Sequence, residues 1–307
     1  MTDPQNSAAP IRHVQLTASE FVSLRAGRHV VSVASAVYRV EGPGAIACIQ
    51  GVLTNDVVKR AGDALVWGAV LTPKGMIIFD AWVLLDGETA AWIIVPGRAR
   101  DIASALFKRT FPPRIAKVTD HTSDKMVWWL LGGGPEAVTA AGASAPAGPA
   151  PFTGLALGDH ETVASLAATG WVEAPPVWAD ASMLLAGWPA LGREIDEKTL
   201  LQEVRFDELD GVRYDKGCYT GQETVARLHF RGHANRALRG VQFDDGVAPR
   251  SATLTVDSKD VGRLTTVADI GTASLGLAKI RHEVSTGATV HAGDSIGRVV
   301  ALPFGLP

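Results

Sequence analysis

Between Ala64 and Val95 the chain passes through three strand-length apolar segments, 65–71, 76–85 and 90–95. Nothing longer than Thr72-Pro73-Lys74-Gly75 or Asp86-Gly87-Glu88 separates them. Connections this short join antiparallel neighbours and leave no room for the crossover helix that a parallel pair requires. The region therefore reads as an antiparallel meander. Helical patterns flank it: 16–26, with Thr17 and Ser19 as candidate caps, 45–53 after a Gly42-Pro43 turn, and 98–109. A half-buried strand is expected at 29–40, further strands at 114–119 and 125–131, and short helices at 135–141, 161–169 and 180–186. Strands and helices come in clusters without βαβ alternation, which places the chain in the α+β class.

From Ala237 onward the pattern changes to six short β-rich runs, 238–243, 252–256, 262–267, 274–280, 289–291 and 296–300, with little helix signal. Six such strands form a separate small barrel or sandwich. The organisation is thus a flexible tail over 1–15, an α+β body over 16–235 and a β-domain over 236–307. The uncharged Ala/Gly/Pro/Ser stretch 142–154 is the expected joint between two subdomains of the body.

With 307 residues, 47% of them hydrophobic, the chain can bury a large core, which excludes disorder. Its 29 basic and 32 acidic residues leave a net charge of −3, with no long basic run, so no nucleic-acid partner is expected. The opening residues Met1 to Pro10 lack a basic and apolar leader, and the apolar runs 81–85 and 90–96 are interrupted far short of a membrane span. No membrane partner and a cytoplasmic location are expected. Two cysteines, Cys48 and Cys218, are too few for a disulfide framework, a self-contained zinc site or a four-thiolate cluster. Any cysteine chemistry rests on one thiol.

Three motifs compete for a function. Gly42-Pro43-Gly44-Ala45-Ile46-Ala47, with Asp63 about 20 residues on, matches a dinucleotide fingerprint and keeps a dinucleotide-binding oxidoreductase as one alternative. Tyr38, Arg39 and Glu41 in the preceding strand argue against a buried parallel strand and for a plain turn into a helix. His229 and His233 with Cys218 could be drawn as metal ligands, yet Arg227, Arg231 and Arg236 interleave with them, so no metal is expected. The segment 226–239 reads instead as a basic strand or loop facing an anionic ligand. The densest block is Tyr214-Asp-Lys-Gly-Cys-Tyr-Thr-Gly-Gln-Glu-Thr-Val-Ala-Arg227. Gly217 and Gly221 free the backbone around a thiol, a phenol and a hydroxyl, while Gln222 and Glu223 offer the hydrogen-bonding set that reads a flat heterocycle. Lys216 and Arg227 are positioned in sequence to favour the Cys218 thiolate, with burial acting the other way. Read residue by residue, a ligand site and a solvated loop with an inert cysteine stand level.

The run Lys216-Gly217-Cys218-Tyr219-Thr220-Gly221-Gln222-Glu223, followed by Val225-Ala226-Arg227, resembles the signature of the YgfZ-type folate-binding proteins of iron–sulfur cluster assembly and repair, relatives of the glycine-cleavage T-protein (aminomethyltransferase). The resemblance extends more weakly to Gln50-Gly-Val-Leu-Thr-Asn-Asp56, to Thr72-Pro-Lys-Gly75 with Asp80, and to Arg236-Ala-Leu-Arg-Gly240. It implies a T-protein cloverleaf of two α+β subdomains plus a C-terminal antiparallel β-barrel around a folate-sized channel. It also implies a tetrahydrofolate-binding factor that supports assembly or repair of [4Fe–4S] proteins, acting as a monomer with iron–sulfur client or assembly proteins as partners. Cys218, Lys216 and Asp80 are the expected chemical residues, and Tyr219, Gln222, Glu223, Arg227 and Arg236 the expected folate-binding residues. Where T-proteins carry an acidic pair, this chain has Phe79-Asp80, and a cysteine stands in the loop. A tetrahydrofolate-dependent aminomethyl- or methyltransferase is the leading alternative, favoured if Asp80 faces the pocket, whereas Cys218 at the pocket mouth favours the assembly factor.

Overall fold

The computed structural model describes residues 10–59, 64–243, 249, 251–270 and 274–304. Strand β1 (Arg12–Gln15) leads into helix α1 (Ala18–Ala26), whose first turn is closed by a capping box between Thr17 and Glu20. Next come β2 (Arg28–Ser32), β3 (Ser35–Glu41) and α2 (Ala45–Val52), then the meander β4 (Leu65–Leu71), β5 (Ile77–Leu85) and β6 (Ala90–Pro96). Helix α3 (Arg100–Thr110), β7 (Lys117–Asp120), β8 (Met126–Gly132) and α4 (Pro135–Ala140) follow. The body ends with β9 (Gly154–Gly158), α5 (Thr162–Ala168), β10 (Val172–Glu173), α6 (Val177–Ala186) and α7 (Gln222–Arg231). Six strands complete the chain: β11 (Arg236–Phe243), β12 (Thr253–Val256), β13 (Lys259–Asp269), β14 (Ser274–Arg281), β15 (Thr289–Ala292) and β16 (Ser295–Val300).

Three sheets organise these elements. One has the order β4-β5-β6-β3-β7 and is antiparallel throughout; a second has the order β10-β2-β8-β9. In the third, β11 to β16 form a closed antiparallel barrel, sealed by the β13–β14 pairing. The fold is α+β with a C-terminal antiparallel β-barrel, and among the described residues no helix is long and apolar enough to cross a membrane.

Local expectations are corrected at four places. The segment 29–40 is two strands in different sheets, because the chain turns at Val33-Ala34, where the Gly97 N–H donates to the Ala34 carbonyl at 3.0 Å. Residues 12–15, assigned to a flexible tail, form β1, which pairs in parallel with β13 from Arg12 opposite Thr266 to Gln15 opposite Asp269; residues 1–9 lie outside the described residues. The residues 222–231, read as part of a polar loop and basic strand, are helix α7, whose Val225 is buried. Finally, β3 pairs antiparallel with both β6 and β7, so the Gly42-Pro43-Gly44 turn follows no parallel dinucleotide-binding strand. Its glycines serve packing: a Cβ on Gly42 would lie 2.5 Å from the Ile115 carbonyl oxygen, at a φ of +130°. Asp63 lies outside the described residues.

Candidate functional site

A cavity of about 930 Å³ opens where the three sheets meet. The five-stranded sheet contributes Asp80, Trp82 and Ile94, the four-stranded sheet Ser32 and Trp129, helix α6 Ala179, Asp180 and Met183, and β1 Arg12 and His13. A volume of this size is at the upper end of those that hold cofactors and small substrates. Alternation along β5 explains the floor. Phe79 points into the hydrophobic core behind the sheet, while Asp80 and Trp82, two residues apart, face the other way. Trp82 stacks on Trp188 with ring centroids 5.7 Å apart and planes 13° apart, and both rings line the cavity. Trp67 packs behind them, 4.2 Å from Trp188 and stacked on Phe206 at 4.1 Å.

Asp80 is the one carboxylate on this floor. Its Oδ2 accepts the indole N–H of Trp67 at 3.1 Å, and Oδ1, also buried, has no hydrogen-bond partner among the described residues. Burial raises its carboxyl to about 6, only partly offset by the Trp67 hydrogen bond. At the rim, Arg12 and Arg193 share the carboxylate of Asp180, at 2.8 and 2.9 Å. Arg98 donates to the Leu191 carbonyl at 3.1 Å across Gly192, where any Cβ would collide with its guanidinium.

The signature loop is built on a different part of the body. The Gln50–Asp56 motif is a bracket. The Thr54 hydroxyl donates to the Gly211 carbonyl and accepts the Ala69 N–H; the Asn55 amide donates to the carbonyls of Trp67 and Asp210; Asp56 Oδ1 accepts the N–H groups of Val58 and Lys59. Into this bracket runs Lys216, 8% exposed, whose ammonium donates to the carbonyls of Gln50, Leu53 and Asn55 at 2.9, 2.6 and 2.7 Å. It thereby satisfies carbonyls around the end of α2 that have no helical partner. Burial lowers its pKa to about 8, against the field of Asp56. Tyr219 also turns inward, 5.1 Å from that ammonium, with its hydroxyl buried and unpartnered among the described residues and its pKa raised by burial. Between these two anchors Gly217 and Cys218 point outward, and the Cys218 thiol is exposed.

The expected site residues therefore separate. Asp80 lines the cavity. Lys216 spends its ammonium on three backbone carbonyls. Glu223 and Arg227, 91% and 73% exposed at the side chain, form an i,i+4 pair at 3.6 Å on the outer face of α7. Gln222 heads that helix, and Arg236 opens β11 in a groove with His233 and Arg281. None of Cys218, Tyr219, Gln222, Glu223, Arg227 or Arg236 lines the cavity. His229 stacks on Tyr214 at 3.7 Å and His233 on His282 at 4.5 Å, so the two histidines drawn together in sequence have different partners. Cys48 is half-buried, with its thiol pushed up by burial. Sequence reasoning missed Trp82, Trp129, Trp188 and the Arg12–Asp180–Arg193 network. The i,i+2 spacing of Asp80 and Trp82 was the available signal.

No protein-family model matches the chain. It is 28% identical to the human mitochondrial iron–sulfur cluster assembly factor IBA57, in an alignment covering 88% of this chain and 81% of that protein. It is also 28% identical to a tRNA-modifying protein YgfZ of Vibrio vulnificus, covering 68% and 67%, and 29% identical to that of Escherichia coli, covering 66% and 68%. Among solved structures, the glycine cleavage system aminomethyltransferase T of Bartonella henselae superposes with a TM-score of 0.76 over 93% of this chain and 88% of that one, at 16% identity. The chain is a homologue of the proteins named YgfZ and IBA57, built on the fold of aminomethyltransferase T.

Proposed function

We propose that this chain is a tetrahydrofolate-binding factor that supports assembly or repair of [4Fe–4S] proteins, working as a monomer in the cytoplasm. The observation that carries the folate half is Asp80, whose buried Oδ1 has no hydrogen-bond partner among the described residues, in the lining of a tryptophan-walled cavity of about 930 Å³. A pterin ring fits this donor set. Its adjacent ring N–H and amino groups suit a carboxylate with a free oxygen, its flat face suits Trp82 and Trp188, and the carboxylates of its tail suit the arginines at the rim. Asp80 would hold the ring, the indoles would orient it and exclude water, and Arg98 would meet the tail. Bound folate would supply one-carbon chemistry at its N5 and N10 nitrogens.

The iron–sulfur half rests on kinship and on the thiol. The human relative is named an iron–sulfur cluster assembly factor. Cys218 is exposed between two inward anchors, the placement of a group offered to a partner. Two unpaired cysteines suit a reducing compartment.

One-carbon transfer by the protein itself is the second reading, favoured by Asp80 being in the cavity while Cys218 is outside its lining. A carboxyl with a pKa of about 6 can hold or release a proton near neutrality. Calorimetric titration of tetrahydrofolate onto wild type, Asp80→Asn and Cys218→Ser tests the assignment. The expected result is binding well below millimolar, weakened on the order of 10- to 100-fold by Asp80→Asn, since a hydrogen bond to a charged group is worth about 1.5–3 kcal/mol, and unchanged by Cys218→Ser. Absence of binding, or equal binding by Asp80→Asn, would remove the folate site from this cavity. One-carbon turnover by the purified protein, lost in Asp80→Asn, would promote the second reading over the first.

A further inference from the structure

Where β11 begins and β14 ends, the register sets Arg236 directly opposite Arg281. Like charges at opposed positions of neighbouring strands repel, and a fold usually avoids the arrangement or neutralises it. Here the neutralisation is incomplete. Among the described residues Arg281 has one acidic neighbour, Glu283, at 3.6 Å, both side chains being more than half exposed, and Arg236 has none. A groove of about 520 Å³ runs past the two guanidinium groups and is completed by Asn235, by the Glu283 carboxylate and by His233 and His282, whose rings stack 4.5 Å apart. The His282 N–H donates to the Asn235 carbonyl at 2.9 Å, which fixes the two flanking segments against each other.

We propose that this groove is a binding site for a terminal phosphate group, separate from the Asp80 cavity. Two guanidinium forks, an amide and two imidazoles supply more N–H donors than the two oxygens of a carboxylate can accept. A phosphate offers three terminal oxygens to these donors, and the two guanidinium groups outweigh the single carboxylate of Glu283. The site absorbs the basic stretch that follows α7, which the folate reading leaves unused because Arg236 does not line that cavity. Local electrostatic conflict without structural benefit marks positions kept for a ligand.

The test titrates the full-length protein with inorganic pyrophosphate, with adenosine 5′-monophosphate and with succinate, in wild type, Arg236→Gln, Arg281→Gln and the double variant. Tetrahydrofolate is titrated in parallel. Both phosphate ligands are expected to bind below millimolar and succinate not to bind. Each single variant should weaken phosphate binding at least tenfold, and all variants should keep the wild-type affinity for tetrahydrofolate. Removing a like-charge pair relieves repulsion, so the variants should melt no lower than wild type, which keeps a folding defect from imitating the result. Absence of phosphate binding, equal affinity in the double variant, or equal binding of succinate would overturn the proposal. Loss of tetrahydrofolate binding in the arginine variants would also overturn it, by returning Arg236 to the folate site.

Discussion

The indole N–H of Trp67 donates to one carboxylate oxygen of Asp80 at 3.1 Å and leaves the other oxygen buried without a donor. The carboxyl is raised from 3.8 to about 6 by burial. Between those values the folded chain holds a proton that the unfolded chain has released, so stability falls as pH rises through the window. A shift of this size corresponds to roughly 3 kcal/mol at neutral pH. Asp80→Asn should therefore raise the melting temperature of the ligand-free protein at neutral pH, and the gain should vanish near pH 4. Calorimetric melts at the two pH values check this, and a pH-independent difference would show that the charge of Asp80 is not the cause.

Lys216 satisfies three backbone carbonyls with one ammonium. Leaving a buried acceptor unsatisfied costs about 1–3 kcal/mol. Lys216→Met, which keeps the stem and removes the donors, should lower stability by several kcal/mol in urea unfolding at pH 7, with alkylation of Cys218 faster because its loop has lost an anchor. A variant as stable as wild type would mean that water replaces the ammonium.

The two thiols differ in access. Cys218 is exposed and Cys48 half-buried with a raised pKa. Brief iodoacetamide treatment of native protein should label Cys218 first by peptide mass spectrometry, with Cys48 following slowly rather than resisting entirely. Preferential labelling of Cys48 would contradict the arrangement.

Glu223 stands at the surface, 91% exposed at the side chain. Glu223→Ala should leave tetrahydrofolate affinity within about twofold, since surface substitutions away from a site usually act by under 0.5 kcal/mol. A loss of tenfold or more would place α7 at the folate after all.

One exposed thiol cannot hold a [4Fe–4S] cluster, which normally takes four. The purified protein should be colourless, and Cys218→Ser should abolish support of [4Fe–4S] enzyme activity in cells while leaving the melting curve in place. Full cellular activity in that variant would assign the thiol no role.

The fold was legible where one pattern dominated. The meander β4 to β6 stands out because its apolar runs are long and its turns short, and the barrel strands because β-rich runs repeat. Helix α7 was hidden because a single buried residue, Val225, carries its inner face amid charges. Strand β1 was hidden because four residues reading Arg-His-Val-Gln carry no periodic signal, and their partner is distant in sequence. The signature block shows where side-chain chemistry read from sequence and placement in the fold part company. Its polar side chains read as ligand contacts, yet Lys216 is consumed by the backbone of α2, and Glu223 and Arg227 pair on a helix surface. Asp80 was named from sequence, but its tryptophan surroundings follow from which face of β5 meets the other sheets, and that is a tertiary fact.

The pairing of β1 with β13 has a consequence for synthesis. Arg12 and His13 line the cavity from a strand whose pairing partners, Thr266 to Asp269, come later in the chain than both α+β sheets. That wall thus gains its β partner only after both α+β sheets have had their full sequence available. A chain stalled or truncated ahead of β13 would carry every tryptophan of the cavity lining and lack the strand on which β1 pairs.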